Sequence, residues 1–248
     1  MADGGTGQRV VVLDMARTLA LVCMVIFHFT FDLMLFGYLP AGYVFSGFWP
    51  LFARAIAGSF LFLAGVSLWL AHGRGLRWPS FWRRFAIVAG AAALVSVATR
   101  FGLGEAWVRF GILHAIAASS LIGVAFLRLP VWVTLATAIA IFAAPWGLQS
   151  PAFAAPWLLW LGLSPEVPPM MDFEPLLPWT APFLVGVALG KLGSQTGAWA
   201  RLMLPTPDRA SLAAFLVWPG RHSLSLYLIH QPVLFGGLWI FTYLSNGV

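Results

Sequence analysis

The sequence predicts an all-α protein, a polytopic integral membrane helix bundle with about seven transmembrane helices. The first observation is composition: 60% of its 248 residues are apolar, only 9% are charged, and the mean hydropathy is +0.88. Soluble domains carry about a quarter charged residues. The second is patterning, because the apolar residues form runs of about 20, the length that crosses a bilayer. The third is charge: the net charge of +6 lies in short loops between these runs, which indicates membrane topology and argues against nucleic-acid binding.

Seven runs are predicted to span the membrane and to form one transmembrane domain over residues 1–248. They lie at 12–36, 48–71, 84–101, 109–128, 131–148, 177–193 and 221–244. The first run contains His28 and Asp32, so it is predicted to be a retained helix and not a cleaved signal peptide. The apolar piece 211–218 is too short to span, and we expect a connecting helix that ends at Pro219-Gly220.

The basic residues predict the orientation of the helices. Two loops, 37–47 and the long Pro- and Trp-rich segment 149–176, contain no Lys or Arg. The positive-inside rule therefore places the N-terminus and the connector 194–220 in the cytoplasm, and the loop 149–176 and the C-terminus outside. The cytoplasmic basic residues are Arg9 and Arg17 at the first helix, Arg74, Arg77, Arg83 and Arg84 in the loop after the second, Arg128 after the fourth, and Lys191, Arg201 and Arg209 after the sixth.

One external turn departs from this rule. It carries Arg100 and Arg109, and Glu105 between them is a candidate partner for both. One other feature is interpreted as structural. Gly186 and Gly190 in the sixth run form a small-residue face suited to close helix packing.

Polar residues at membrane depth are the main functional signal. His28 and Asp32 are four residues apart and so share one face of the first helix, in its outer half. An ionisable group at this depth costs about 2.5–3.5 kcal/mol on insertion scales. Because several such groups fall in the outer half, we expect one inward-facing polar pocket. The other members placed there are Arg54, Arg109, His114, Asp172 and His230.

Structural alternatives stay open for most of these residues. The His28–Asp32 pair can link helices, and the step His230-Gln231-Pro232 can be only a kink with a satisfied histidine. Asp14 and Arg17, three residues apart, are expected to pair with each other. His72 is expected to be solvated in the basic loop. His222, at a helix start, is expected to serve as an end cap.

The polar pattern suits base chemistry. A carboxylate that orients an imidazole makes it a better proton acceptor for an attacking hydroxyl or amine, and His28 with Asp32 fits this description. The alternatives are that His28 acts as a transient acyl carrier and that Asp32 orients the acceptor substrate. Motifs for serine hydrolases, HExxH zinc enzymes, P-loops and dinucleotide binding are absent from the sequence, and no metal is predicted.

Several stretches resemble the bacterial relatives of heparan-α-glucosaminide N-acetyltransferase, within the transmembrane acyltransferases. They include "LDMARTLALVCMVIFHFTFDL", "SFLFLAGVSL", "FWRRFAIV", "RFGILHAIA", "DFEPLLPWTAPFLVGVALG" and "GRHSLSLYLIHQPVL". The resemblance implies acyl transfer from acyl-CoA, across a membrane, to an acceptor on the far side. The family's motif positions fall on Asp14, Arg17, His28, Asp32, Arg83, Arg84, Arg109, His114, Asp172, Arg221, His222 and His230.

Together these observations predict a membrane acyltransferase in the bacterial cytoplasmic membrane. It would transfer an acyl group, most simply acetyl from acetyl-CoA, to a sugar hydroxyl or amine of an extracytoplasmic glycan or glycolipid. His28 and Asp32 are predicted to be catalytic. The residues predicted to bind acyl-CoA are Arg83, Arg84, Arg17, Arg221 and His222, and those predicted to bind substrate or the oxyanion are Arg54, Arg109, His114, Asp172 and His230.

Membrane lipids are the expected surroundings, and the resemblance together with the packing face points to a homodimer. The alternative function is a transporter or flippase for a small polar solute that uses the buried His, Asp and Arg residues. A structural subunit is a third interpretation, but it leaves those buried charges unexplained.

Overall fold

A computed structural model describes residues 10–202 and 211–245 of the chain. In these ranges the protein is helical and contains no β-strand. Six of the described helices are long and apolar enough to cross a membrane, and a seventh apolar helix is shorter, at 15 residues. The prediction of an all-α polytopic membrane bundle is therefore confirmed. Arg9 and Arg209, which entered the orientation argument, lie outside the described residues.

The helices follow the predicted runs closely. They are α1 (Val11–Leu35), α2 (Trp49–His72), α3 (Trp78–Leu103), α4 (Ile112–Phe126), α5 (Val131–Leu148), α6 (Leu176–Gln195), α7 (Ala198–Arg201), α8 (Leu212–Arg221) and α9 (Ser223–Ser245). The loop between α5 and α6 contains two 3₁₀ helices, Pro151–Phe153 and Pro156–Leu161.

Two predicted boundaries are wrong. Helix α3 begins at Trp78, not at 84, because Pro79 occupies its first turn, where a fixed φ and a missing N–H are favourable. Arg83 and Arg84 therefore lie in α3 and not in the preceding loop. Helix α8 continues through Pro219 to Arg221, where a break was expected.

The described chain forms two compact units. The first comprises residues up to Ile56 together with those from Trp199 onward, and in it α1 packs against α8 and α9. The second comprises Ala57–Ala198, where α5 packs against α6 and α4 packs against α3 and α6.

Glycines permit the closest helix contact of the second unit, between α2 and α6. A Cβ at Gly186 would overlap the backbone carbonyl of Phe62, and a Cβ at Gly65 would overlap that of Phe183. A Cβ at Gly190 would lie 2.7 Å from the Cβ of Trp69. The predicted packing role of Gly186 and Gly190 is thus confirmed.

In the first unit a hydroxyl of α1 is inserted into the backbone of α8. Gly220 N–H donates to Thr18 Oγ1 at 2.9 Å, and Thr18 Oγ1 donates to Leu216 O at 2.6 Å. Thr18 therefore replaces the direct bond that Gly220 would make to the carbonyl four residues earlier. Since Pro219 has no N–H, this side chain satisfies backbone groups where the helix is weakened, and α8 continues through the proline.

Candidate functional site

Helices α1 and α9 bring two histidines into direct contact. His28 Nδ1 and His230 Nε2 are 2.7 Å apart, and their rings stack with centroids 4.8 Å apart. His230 Nδ1 lies 2.6 Å from the carbonyl oxygen of Tyr227, one turn earlier in α9. The proline two residues after His230 does not break α9, so the histidine is held on a continuous helix.

The Tyr227 carbonyl determines the protonation pattern of this pair. A carbonyl oxygen only accepts, so His230 Nδ1 must donate to it. When both imidazoles are neutral, His230 Nε2 then accepts, and His28 Nδ1 donates to it. The lone pair of His28 is consequently on Nε2. A hydrogen-bonded chain from backbone to His230 to His28 leaves that nitrogen as a base.

Asp32 has a different partner from the one predicted. It is fully buried, and its Oδ1 accepts from Gln231 Nε2 at 2.8 Å. The structure joins His28 to His230 and not to Asp32, so the interpretation of Asp32 as the orienting group of His28 is corrected. The physical reason is that α9 supplies a partner for each group. The amide of Gln231 donates to Asp32, and the adjacent residue, His230, hydrogen-bonds to the imidazole of His28.

Two acceptor atoms of this site are buried without a hydrogen bond of good geometry. Among the described residues, no well-aligned donor lies on Asp32 Oδ2 or Gln231 Oε1, although the Gln231 side chain also faces His28. Gln231 is a functional candidate that the sequence analysis passed over as part of a kink. An uncharged but strongly polar amide in the middle of an apolar run, next to His230, was the signal that could have identified it.

A second polar cluster on α1 lies at the other end of the helix. Asp14 is buried, with Oδ1 2.6 Å from Arg17 Nη1 and Oδ2 3.4 Å from Arg221 Nε. The predicted Asp14–Arg17 pairing is confirmed. Arg17 and Arg221, both predicted to bind acyl-CoA, therefore share one carboxylate.

His222 caps a helix end, but the end is that of α8 and not the predicted start of the last helix. Its Nδ1 lies 2.9 Å from the Trp218 carbonyl oxygen at the end of α8, and its ring lies 4.6 Å from that of Trp218. This contact occupies the imidazole nitrogen that faces the helix.

In the second unit, Asp172 caps the start of α4. Its Oδ2 accepts from Ile112 N–H at 3.0 Å, next to Glu174 N–H, which donates to Phe110 O at 3.0 Å. Burial raises the pKa of the Asp172 carboxyl to about 6, and the bond from Ile112 opposes part of that shift. Beside it, His114 Nδ1 accepts from Gly111 N–H at 3.3 Å, and its Nε2 lies 3.2 Å from Ser96 Oγ.

The predicted arginines of the outer half differ in their surroundings. Arg109 lies over the Trp107 ring, and its guanidinium is 3.4 Å from the Glu105 carboxylate. Arg100 also pairs with Glu105, at 3.5 Å. This confirms Glu105 as their shared partner. Arg54 is exposed, and no hydrogen bond or ion pair joins its guanidinium to another described residue.

A groove in the second unit lies between α2, α3 and α4. It measures about 350 Å³, including space open to solvent, and is mostly apolar. Arg84 lines it and Arg83, the preceding residue, does not, although both arginines are exposed. His72 also lines it and is only 4% exposed, so its predicted solvation is wrong. The reason is that α3 starts early, which places the Phe81 ring 5.9 Å from the His72 ring.

The structure thus brings the predicted site residues together in separate groups. His28, Asp32 and His230 lie together in the first unit, and His114 and Asp172 lie together in the second. The single pocket that would unite these groups stays a prediction. Within residues 10–202 and 211–245, no three His, Cys, Asp or Glu side chains are grouped to hold a metal ion.

Comparison with known proteins gives one match. A family model described as heparan-alpha-glucosaminide N-acetyltransferase, catalytic, matches residues 9–232, which include His28 and His230. No curated protein and no solved structure matches. The match covers most of the chain and agrees with its apolar helices. The protein belongs to the heparan-alpha-glucosaminide N-acetyltransferase catalytic family, a family of membrane-bound acetyltransferases.

Proposed function

We propose that this protein transfers an acyl group, acetyl in the simplest case, from acyl-CoA to a sugar hydroxyl or amine. The acceptor is a glycan or glycolipid on the outer side of the bacterial cytoplasmic membrane. The observation that carries the proposal is the chain from the Tyr227 carbonyl through His230 to His28, which leaves a lone pair on His28 Nε2. Family membership supports the reaction class.

The histidine pair can carry the protons of this reaction. His28 Nε2 removes the proton of the acceptor as its oxygen or nitrogen forms a bond to the thioester carbonyl carbon. The bond from that carbon to sulfur then breaks, and the imidazolium of His28 returns the proton to the leaving CoA thiolate. His230 Nε2 accepts from His28 Nδ1 throughout, which stabilises the imidazolium as its charge develops.

Binding of the donor is assigned to the groove between α2, α3 and α4. Arg84, a predicted phosphate ligand, lines this apolar groove, so we assign the phosphates of the donor to its guanidinium. Arg17 and Arg221 suit this role less well, because Asp14 already accepts from both. With the N-terminus in the cytoplasm, as the loop charges predict, the donor enters from the cytoplasmic side.

The oxyanion of the tetrahedral intermediate also needs a donor. Arg54 and Arg109 are the proposed candidates. Arg54 has no carboxylate partner among the described residues, whereas Arg109 shares Glu105 with Arg100.

The test is acetyl-CoA binding and CoA release by the detergent-purified protein. Arg84→Ala is expected to weaken binding about tenfold, the loss of one charge-assisted hydrogen bond, and Arg83→Ala, its exposed neighbour outside the groove, is the matched control. His28→Ala is expected to bind acetyl-CoA but to release no CoA. A wild-type protein that binds neither acetyl-CoA nor longer acyl-CoAs would overturn the proposal and favour a transporter.

A further inference from the structure

The buried amide–carboxylate pair of α9 and α1 has more acceptors than donors. Gln231 Nε2 donates to Asp32 Oδ1, and this orientation of the amide follows because only its nitrogen can donate to a carboxylate. The bond leaves Gln231 Oε1 and Asp32 Oδ2 buried without a hydrogen bond of good geometry in the described part of the chain, and the Gln231 side chain also faces the His28 imidazole.

Such atoms are costly unless a ligand satisfies them. A buried polar atom without a hydrogen bond costs about 1–3 kcal/mol, and more if it is charged. Asp32 is fully buried, so bulk solvent does not offset this cost. The pair is attached to the histidine chain, since Gln231 follows His230 and Asp32 lies one helical turn after His28.

The number of open acceptors defines the ligand chemistry. Two separate acceptor oxygens require two donor hydrogens, which a single hydroxyl does not supply. An amine supplies them from one nitrogen, and two adjacent hydroxyls supply them from two oxygens. Both groups occur on sugar rings, and both place a second donor next to the atom from which a base can remove a proton.

We propose that Asp32 and Gln231 form a binding site for a group that donates two hydrogen bonds, and that Gln231 determines acceptor specificity. This inference rests on the proposed function, because it names the acceptor chemistry that the His28 base would serve. Gln231 acts in two ways: it orients Asp32 through its nitrogen and contacts the ligand through Oε1.

The experiment compares three probes with the same six-membered ring. Cyclohexylamine and trans-cyclohexane-1,2-diol offer two or more donor hydrogens, while cyclohexanol offers one. Their binding to the purified protein is measured by saturation-transfer NMR for wild type, Asp32→Asn, Gln231→Met and the control Thr242→Val. The control removes the 2.9 Å contact between Tyr38 and Thr242, which also links α9 to the segment after α1.

Wild type and Thr242→Val are expected to bind the amine or the diol at least about tenfold more tightly than cyclohexanol, the factor of one charge-assisted hydrogen bond. The tighter binder of the two shows whether the hydrogen-bond-donating group of the ligand is an amine or a pair of adjacent hydroxyls. Asp32→Asn and Gln231→Met are expected to lose this preference while keeping the circular dichroism of the wild type. Equal binding of the three probes to wild type, or an unchanged preference in Gln231→Met, would overturn the proposal.

Acetyl-CoA binding, measured on the same samples, separates the two proposals. A probe preference in a protein that binds no acyl-CoA would leave the Asp32–Gln231 site intact and reject the acyltransferase. Acetyl-CoA binding without any probe preference would reject the Asp32–Gln231 site and leave the acyltransferase proposal intact.

Discussion

The two ends of α1 carry the same kind of residue in opposite states. Asp14 and Asp32 are both buried carboxylates, eighteen residues and so about 27 Å apart along the helix. At Asp14 both oxygens are paired, one with Arg17 and the other with Arg221. At Asp32 one oxygen accepts from Gln231 and the other has no described donor.

The difference separates structural polar residues from binding ones. When every oxygen of a buried carboxylate is paired, as at Asp14, the pairs offset the desolvation cost of the charge and link α1 to α8. When one oxygen is unpaired, as at Asp32, that cost is offset only by packing elsewhere or by a bound ligand that donates to the oxygen. The sequence predicts the Asp14–Arg17 pair, but only the tertiary structure shows Arg221 as the second partner of Asp14 and Gln231 as the partner of Asp32.

The largest expected effect is on catalysis and tests the end of α1 that carries His28 and Asp32. His28→Ala should lower the rate of CoA release about 10²–10⁴-fold, the range typical for loss of a general base, with little change in the melting temperature. His230→Asn should lower it less, because His28 stays present but loses the acceptor that directs its proton to Nδ1. Steady-state kinetics with acetyl-CoA measure both. A His230→Asn variant with the wild-type rate and pH profile would reject the orienting role.

At the Asp14 end of α1, we expect a substitution to change the stability of the protein and not its catalytic rate. Asp14→Ala removes the shared partner of Arg17 and Arg221, and we expect a loss of about 2–3 kcal/mol in the free energy of unfolding. The value lies below that of fully buried pairs because both arginines are partly exposed. Denaturant unfolding followed by tryptophan fluorescence measures it. Asp32→Ala is the matched comparison, and a larger loss there would contradict the distinction between the two ends.

A glycine pair tests the backbone contact beside Asp14. Gly220→Ala would place a Cβ against the Asp14 carbonyl oxygen, so we expect about 1–3 kcal/mol of destabilisation. Gly237→Ala is the control, because no atom lies within 4 Å of its ideal Cβ and alanine is the better helix former. Thermal unfolding should show opposite signs for the two variants. Equal melting temperatures would show that α8 shifts away from α1 without cost.

The smallest effect concerns Asp172, the carboxylate that caps the start of α4 in the second unit. Its pKa is raised from 3.8 to about 6, so the folded state holds the proton more tightly than the unfolded chain does. Its contribution is fully present below pH 3.8 and is lost as the pH rises through 6. Asp172→Asn should therefore flatten the decline in stability across this interval. Glu105→Gln, at an exposed carboxylate, should leave the decline unchanged.

Much of the fold follows from the sequence alone. Runs of about 20 apolar residues predict the spanning helices, because only a helix satisfies its backbone within a bilayer. The packing role of Gly186 and Gly190 was also predictable from the sequence, because small residues at helical spacing permit two helices to approach closely. The early start of α3 was missed, since four basic residues around the α2–α3 turn resemble a loop more than a helix.

Composition and periodicity in this sequence determined which residues are costly in a membrane, and they included His28, Asp32 and His230. The tertiary structure decided which of these residues meet. Hydrophobic periodicity specifies a helix and its buried face, but it carries no information on the register between α1 and α9, which are about 200 residues apart in sequence. That register pairs His28 with His230 and Asp32 with Gln231, and so determines which nitrogen is the base and which oxygens stay open.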